Sequence, residues 1–267
     1  MGNYKIEFKN VSKIFKTRRQ EIVAVKDFSI GVEEGEFVSI IGPSGCGKST
    51  IIRMLDRLIN PSEGQIFVDG EDISKGKMPI EVRKKMGFIF QEPNLLPWLT
   101  IKQNVEFPLN IFKIDKKDPK IQEHVQDLLK MTGLQDASDS YPVDVSGGMT
   151  QRVGVIRAMV HNPEILLMDE PFGALDGITQ DSLDMWLHEV WSKNKKTIIF
   201  ITHSVEEAVL LSNKVFVMAT QPGRLVNVEN IDLPFPRSLD MVRTPEFMAY
   251  TKKLTQMIGK LDLRNIK

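Results

Sequence analysis

The chain has a single cysteine, Cys46, in 267 residues. That excludes an intrachain disulfide and any multi-cysteine zinc site, and it fits a reducing compartment. Net charge is also missing, with 35 Lys and Arg against 35 Asp and Glu. Domains whose main task is gripping nucleic acid carry a basic excess, so that class is disfavoured and no nucleic-acid partner is expected. No stretch approaches the roughly 18 uninterrupted apolar residues of a membrane span. The longest greasy stretches, such as Thr197–Thr202, are strand-sized. The opening MGNYKIEFKN lacks an apolar core of signal-peptide length, and Ile6 breaks the myristoylation pattern that Gly2 begins. If the chain works at a membrane, a partner must hold it there.

What is present is ordinary globular composition, 42% hydrophobic and 26% charged, in a length that suits one large domain or two small ones. Residues 4–9 and Ala24–Ile30 alternate apolar and polar, as half-buried strands do. FVSIIG, Ile165–Met168, Thr197–Ile201 and Val215–Met218 are nearly continuous apolar runs, expected of strands covered on both faces. Gln65–Val68 and Gly87–Phe90 read as further short strands. From about Ile101 to Val160 the spacing is helical. Asp118-Pro119 opens one helix, Gly133 closes it, and the next starts near Ser146. Leu183, Trp186, Leu187, Val190 and Trp191 form one stripe, and Phe247, Tyr250, Leu254, Met257, Ile258 and Leu261 another, after Pro245. The second reads as a terminal helix packed on the core. The whole is an α/β chain: a mainly parallel sheet, an N-terminal antiparallel β part and a helical insertion. Its expected divisions are a core of 1–92 plus 163–230, an insertion at 93–162 and a helical tail at 231–267.

Gly42-Pro43-Ser44-Gly45-Cys46-Gly47-Lys48-Ser49 satisfies G-x-x-x-x-G-K-[ST], and Thr50 follows it. Glycines let successive backbone N–H groups turn inward on phosphate oxygens, and the helix that begins here adds its positive end. Lys48 is placed for the β/γ oxygens, and Ser49 offers a hydroxyl to Mg²⁺. Nucleotide phosphate binding is the expectation. Cys46 reads as a small filler, with a thiol acidified by Lys48 and the helix end as the alternative. Ile165-Leu-Leu-Met168-Asp169-Glu170 is an apolar strand ending in two acids, expected to neighbour the strand that feeds the phosphate loop. Two carboxylates there call for a cation, which suggests Asp169 for Mg²⁺ and Glu170 for polarising an attacking water.

Further strings make the chain resemble the ATP-binding subunits of ABC transporters over nearly its full length. Gln91 after FIF resembles the Q-loop, Ser146-Gly147-Gly148 the signature motif, Ala174-Leu175-Asp176 the D-loop, and His203 in FITHS the switch histidine. Phe15 stands where that family has an aromatic that stacks on adenine. The resemblance implies ATP and Mg²⁺ as ligands. It implies Gln91 and Asp169 beside Ser49 at the metal, and His203 on the γ-phosphate. It also implies Ser146–Gly148 and Asp176 completing the ATP site of a partner in a head-to-tail pair. The signature departs from Leu-Ser-Gly-Gly-Gln, reading Val145-Ser-Gly-Gly-Met149.

LLPWLTIKQNV, DEPFGALDGITQDSL and VFVMATQPGRLVNVENIDLPFPRS resemble importers of the nitrate, sulfonate and taurine type. That branch implies two integral membrane permease subunits, an extracytoplasmic solute-binding protein and a place on the cytoplasmic face of the membrane. The rival readings are the ATPase of an exporter, a soluble non-transport ABC-type ATPase, or a P-loop kinase or GTPase. A GTPase would need Asn-Lys-x-Asp, which Asn194-Lys-Lys-Thr and Asn213-Lys-Val-Phe both fail.

Overall fold

A computed structural model describes residues 4–17, 20–173 and 175–263; Ala174 of the D-loop string lies outside them. The chain opens with a long antiparallel pair, β1 (Ile6–Lys16) and β2 (Glu21–Val32). β3 (Phe37–Ile41) follows and feeds α1 (Lys48–Leu55). Next come β4 (Glu63–Val68), β5 (Glu71–Asp72), the short α2 (Ile80–Lys84) and β6 (Met86–Ile89). A helical stretch contains α3 (Ile101–Ile111), α4 (Pro119–Met131) and α5 (Gly147–Met159). The chain then returns through β7 (Ile165–Asp169), α6 (Gly177–Asn194), β8 (Thr197–Ile201), α7 (Val205–Leu211), β9 (Lys214–Ala219) and β10 (Arg224–Asn230). α8 (Pro245–Leu263) is the last of the described elements.

The strands form two sheets, ordered β2-β1-β4-β5 and β10-β9-β3-β8-β7-β6. The first is antiparallel; the second is parallel except for β10, which runs antiparallel to β9. One expectation is corrected here. β7 does not neighbour β3, because β8 lies between them and pairs in parallel with both.

Every residue of β3, β7 and β8 is buried, and alternation sorts their side chains into two cores. Phe37, Met168 and Phe200 face a layer made by α3 to α8. Val38, Leu167 and Ile199 face α1 and the antiparallel sheet. A three-layer sandwich of this kind keeps the carboxyl ends of its central strands free for ligands. Local signals set the helix ends. Asp118 accepts from Lys120 N at 2.9 Å with Pro119 at the first helical position, and Ser146 caps α5 by accepting from Met149 N at 3.3 Å.

The packing of α6 on α7 buries an acid pair. Asp184 is 2% exposed, and among the described residues its Oδ1 has no hydrogen-bond partner. Burial, then the charges of Glu207 and Asp181, push its carboxyl up to about 9. The unfolded carboxyl ionises near 3.8, so between those values the unfolded chain holds fewer protons. Stability therefore falls as pH rises through that window. Asp184→Asn removes the titration. The variant is expected to out-melt the parent at pH 8 by an amount on the order of a few kcal/mol. The advantage should shrink toward pH 4.5 in thermal melts; an equal difference at both pH values would refute this account.

Candidate active site

The cleft is built at the carboxyl end of β3. The chain leaves Ile41 and curls through residues 42–47 into α1. Gly47 makes this possible: its φ is 93°, and a Cβ there would sit 2.8 Å from Val25 Cγ2 and 3.0 Å from Ala24 O. No side chain caps α1, and its first turn carries no acid, so its leading N–H groups remain available to an anion. Lys48 is 7% exposed, and its ammonium donates to Gly42 O at 2.9 Å and Pro43 O at 3.4 Å. A positive charge is thereby held over a loop of inward-turned backbone, a cradle that fits phosphate. Hydrogen bonds from Lys26 N to Gly223 O at 2.8 Å and from Gly223 N to Ala24 O at 3.1 Å tie β2 to the turn after β9, directly behind the loop.

Cys46, within that loop, is fully buried. Burial pushes its thiol up, against the opposing pull of Lys48. The acidified thiol considered from the sequence is thus corrected: desolvation of the thiolate outweighs the nearby charge, and Cys46 is packing.

Register brings the acids in. Asp169 pairs with Ile201 across β7 and β8, and Glu170 N donates to Ile201 O at 3.0 Å. His203 leaves β8 two residues later and faces the same carboxylate, with Nδ1 3.8 Å from Glu170 Oε2. Gln91, just past β6, donates from Nε2 to the same oxygen at 3.3 Å. Glu170 adopts φ 49°, a left-handed conformation that costs a non-glycine residue about 1–2 kcal/mol. Ser49 Oγ donates to Asp169 Oδ1 at 2.7 Å, and Arg53 Nη2 lies 3.7 Å from Asp169 Oδ2. Burial raises the Asp169 carboxyl, opposed by the Ser49 hydrogen bond and the Arg53 charge. A hydroxyl and a carboxylate side by side form an oxygen donor set of the kind that Mg²⁺ takes alongside substrate phosphates.

The cleft has a volume of ≈ 570 Å³ and is lined by residues 44–50 with Ala24, Gly42, Gln91, Glu170 and His203. Asp169 stands behind it, and Pro43 contributes its carbonyl to Lys48. Phe15, Ser146–Gly148 and Asp176 do not line it. Phe15 is 39% exposed on β1, opposite Ile22 of β2. Ser146 and Asp176 cap α5 and α6, and a Cβ on Gly148 would come within 3.6 Å of Leu175. Apart from Phe15 on β1, the expected site residues therefore form two groups, one in and behind the cleft and one where α5 and α6 begin. Arg53 and Ala24 were missed from the sequence. Arg53 lies four residues after Ser49 on α1, a spacing that puts both on one face toward Asp169. A larger groove of ≈ 940 Å³ between α7 and α8 is lined by Val205, Pro245, Phe247 and Met248 among others; it has no phosphate loop and no acid pair.

The sequence model described as ABC transporter matches residues 25–173. The chain belongs to the ABC transporter family. The aliphatic sulfonates import ATP-binding protein SsuB of Bacillus cereus is 39% identical over 251 residues, covering 94% of each chain. An uncharacterized ABC transporter ATP-binding protein, MJ0412 of Methanocaldococcus jannaschii, is 40% identical over 263 residues, covering 98% of this chain and 94% of that protein. The ABC transporter cassette MJ0796, solved as a dimer, superposes with a TM-score of 0.79 at 33% identity, covering 86% of this chain and all of that one. Its post-hydrolysis state, bound to ADP and Pi, superposes with a TM-score of 0.77 at 32% identity. As an ABC transporter cassette, the chain is an ATPase that uses ATP with Mg²⁺.

Proposed function

We propose that this chain energises an importer of a small oxyanion of the sulfonate, taurine or nitrate type. In this reading two copies pair head to tail on the cytoplasmic face of the membrane, against two permease subunits fed by a solute-binding protein. Residues 1–92 and 163–230 act as the nucleotide-binding core, 93–162 as the helical subdomain and 231–267 as the tail. The observation that carries it is the match, over nearly the whole of both chains, to an aliphatic sulfonate import protein. The division of the site residues into two groups supports the pairing, since one chain then supplies half of each ATP site. Among the described residues no helix is long and apolar enough to cross a membrane; in this reading the permease subunits supply the pore.

The cleft geometry supports the roles proposed for its lining residues, and the family resemblance supports those of Phe15, Ser146–Gly148 and Asp176. Lys48 and the backbone N–H groups of residues 42–49 hold the phosphates. Ser49 and Asp169 would hold Mg²⁺, with Gln91 close by, and the ion would supply neutralisation of phosphate charge. Glu170 accepts the proton of the attacking water, oriented by its contacts with Gln91 and His203, and His203 also reaches the γ-phosphate. Ser146–Gly148 and Asp176 serve the partner's ATP, and Phe15 packs on adenine.

The permease contact is assigned to residues 91–100. Asn104 of α3 accepts from Leu96 N at 2.8 Å and donates to Leu96 O, Leu99 O and Thr100 O at 3.0–3.1 Å. The loop is thereby pinned while Trp98 stands 69% exposed. An exposed indole on a fixed loop suits a buried anchor at an interface. In cells expressing the chain with its membrane subunit, Trp98→Ala is expected to keep ATP binding but to lower co-purification of that subunit at least fivefold. It is also expected to lower growth on an alkanesulfonate as sole sulfur source. Undiminished co-purification would retire this surface. Failure of the parent chain to support that growth, with nitrate-dependent growth intact, would move the cargo to nitrate.

A further inference from the structure

Gln151 sits one turn into α5, five residues after Ser146, and is 3% exposed. Its side-chain amide faces two backbone carbonyls. Nε2 donates to Gln91 O at 3.3 Å and to Pro171 O in a shorter bond. These are the carbonyl of Gln91 itself and that of the residue after Glu170, so a single NH₂ group joins the backbones behind both side chains that meet at Glu170 Oε2. The same helix grips the 91–94 segment twice more at three-residue spacing. Gly154 lets Pro93 approach so closely that a Cβ would sit 3.2 Å from Pro93 Cβ. Arg157 donates to Asn94 O at 3.0 Å and to Pro93 O. Residues 151, 154 and 157 thus form a seam that fixes the Gln91 strand end to the helix whose N-terminus is Ser146–Gly148.

Packing alone does not require an amide at 151. Arg157 and Gly154 already hold residues 93 and 94, whereas among these three residues of the seam it is Gln151 that reaches from Gln91 to the segment following Glu170. A buried amide whose two donors meet two acceptors is satisfied, and a group of the same size without donors would leave both carbonyls unpaired. We infer that Gln151 is a positioning residue for ATP hydrolysis: through its two carbonyl contacts it sets the distance between the Gln91 and Glu170 side chains, and hence the placement of the attacking water. This rests on the assignment of Glu170 and Gln91 to that water. It also gives a physical route by which a displacement of the 91–94 loop moves the water site and the α5 N-terminus together.

The test uses the full chain with Gln151→Met, which keeps length and removes both donors, and Gln151→Glu. Glu170→Gln runs in parallel. For Gln151→Met the expectation is a fall in kcat of about tenfold or more, since water misplaced by a fraction of an ångström reacts far more slowly. KM for ATP and the binding of a fluorescent ATP analogue should stay within about twofold of the parent. For Gln151→Glu, activity relative to the parent should be higher at pH 6 than at pH 8.5, because a protonated carboxyl can donate to one carbonyl and a carboxylate to neither. A kcat for Gln151→Met within twofold of the parent would overturn the inference. So would a loss carried by KM together with early melting. If Gln151→Met melts too early to assay, the pH ratio of Gln151→Glu decides, and a ratio that does not change with pH overturns it. Full activity in Glu170→Gln would instead remove the water assignment itself, whatever Gln151 does.

Discussion

Glu170→Gln is expected to lower ATP turnover by ~10²–10⁴-fold, the usual loss when a positioned general base is removed. ATP affinity should stay within about twofold. The reason is geometric. The Glu170 carboxylate makes no hydrogen bond to the phosphate loop; its Oε2 accepts from Gln91 at 3.3 Å and faces His203 at 3.8 Å. Phosphate binding belongs instead to Lys48, to the open N-terminus of α1 and to the loop that Gly47 allows. Gln keeps the shape and the carbonyl acceptor, and it tolerates the left-handed backbone at this position about as well as Glu does. It cannot take a proton from water. With hydrolysis blocked and binding intact, the ATP-bound form should accumulate as a dimer, seen by size-exclusion chromatography with multi-angle light scattering in ATP and Mg²⁺. Turnover near the parent rate would remove Glu170 from the chemistry. A collapse of ATP affinity would show that the carboxylate supports the loop instead.

The parts that could be read from the sequence share a property: their physics is local. β3, β7 and β8 are buried on both faces, so their apolar runs are unbroken and easy to see. Lys48, Ser49 and the Asp169-Glu170 pair lie in short strings where spacing alone determines chemistry. β10 was missed because it is an edge strand with one exposed face, and RLVNVEN alternates without a strong apolar signal. The order of the sheet was misread at β3 and β7. Apolar patterning specifies which faces are covered and carries no label for the neighbour, so the insertion of β8 could not be seen. Gln151 escaped notice for a related reason. Its partners are backbone carbonyls, which leave no mark in a residue string, and a glutamine on a helix reads as solvated surface until the tertiary fold buries it. Phe15 remains a residue whose assignment rests on the family resemblance; on β1 it stays outside the cleft lining.

Arg237→Met is expected to cost about 4 kcal/mol of stability or more, because it removes one buried cation from five acceptors. Arg237 is 2% exposed. Its Nη1 donates to Val209 O at 2.7 Å, Leu210 O at 3.4 Å and Ser212 O at 2.8 Å, and its Nη2 donates to Ile231 O at 3.0 Å and Leu233 O at 3.2 Å. The guanidinium also lies 4.0 Å over the Phe235 ring. Three of those carbonyls close the C-terminal end of α7, where a helix has carbonyls without intrahelical donors and a negative dipole end. The other two follow β10. One side chain from the tail therefore seals the end of the helix that begins just after His203 and anchors the segment leading into α8. Methionine fills similar volume but leaves the carbonyls buried and unpaired. At roughly 2–4 °C per kcal/mol for a chain approaching this size, the midpoint of thermal unfolding should drop by about 10 °C. Arg237→Lys should fall between parent and Met variant, because an ammonium keeps the charge but cannot span both sets of carbonyls with a planar fork. A Met variant melting within about 2 °C of the parent would mean that α7 is held by its apolar face alone. A Lys variant equal to the parent would assign the stability to charge, with the fork contributing nothing.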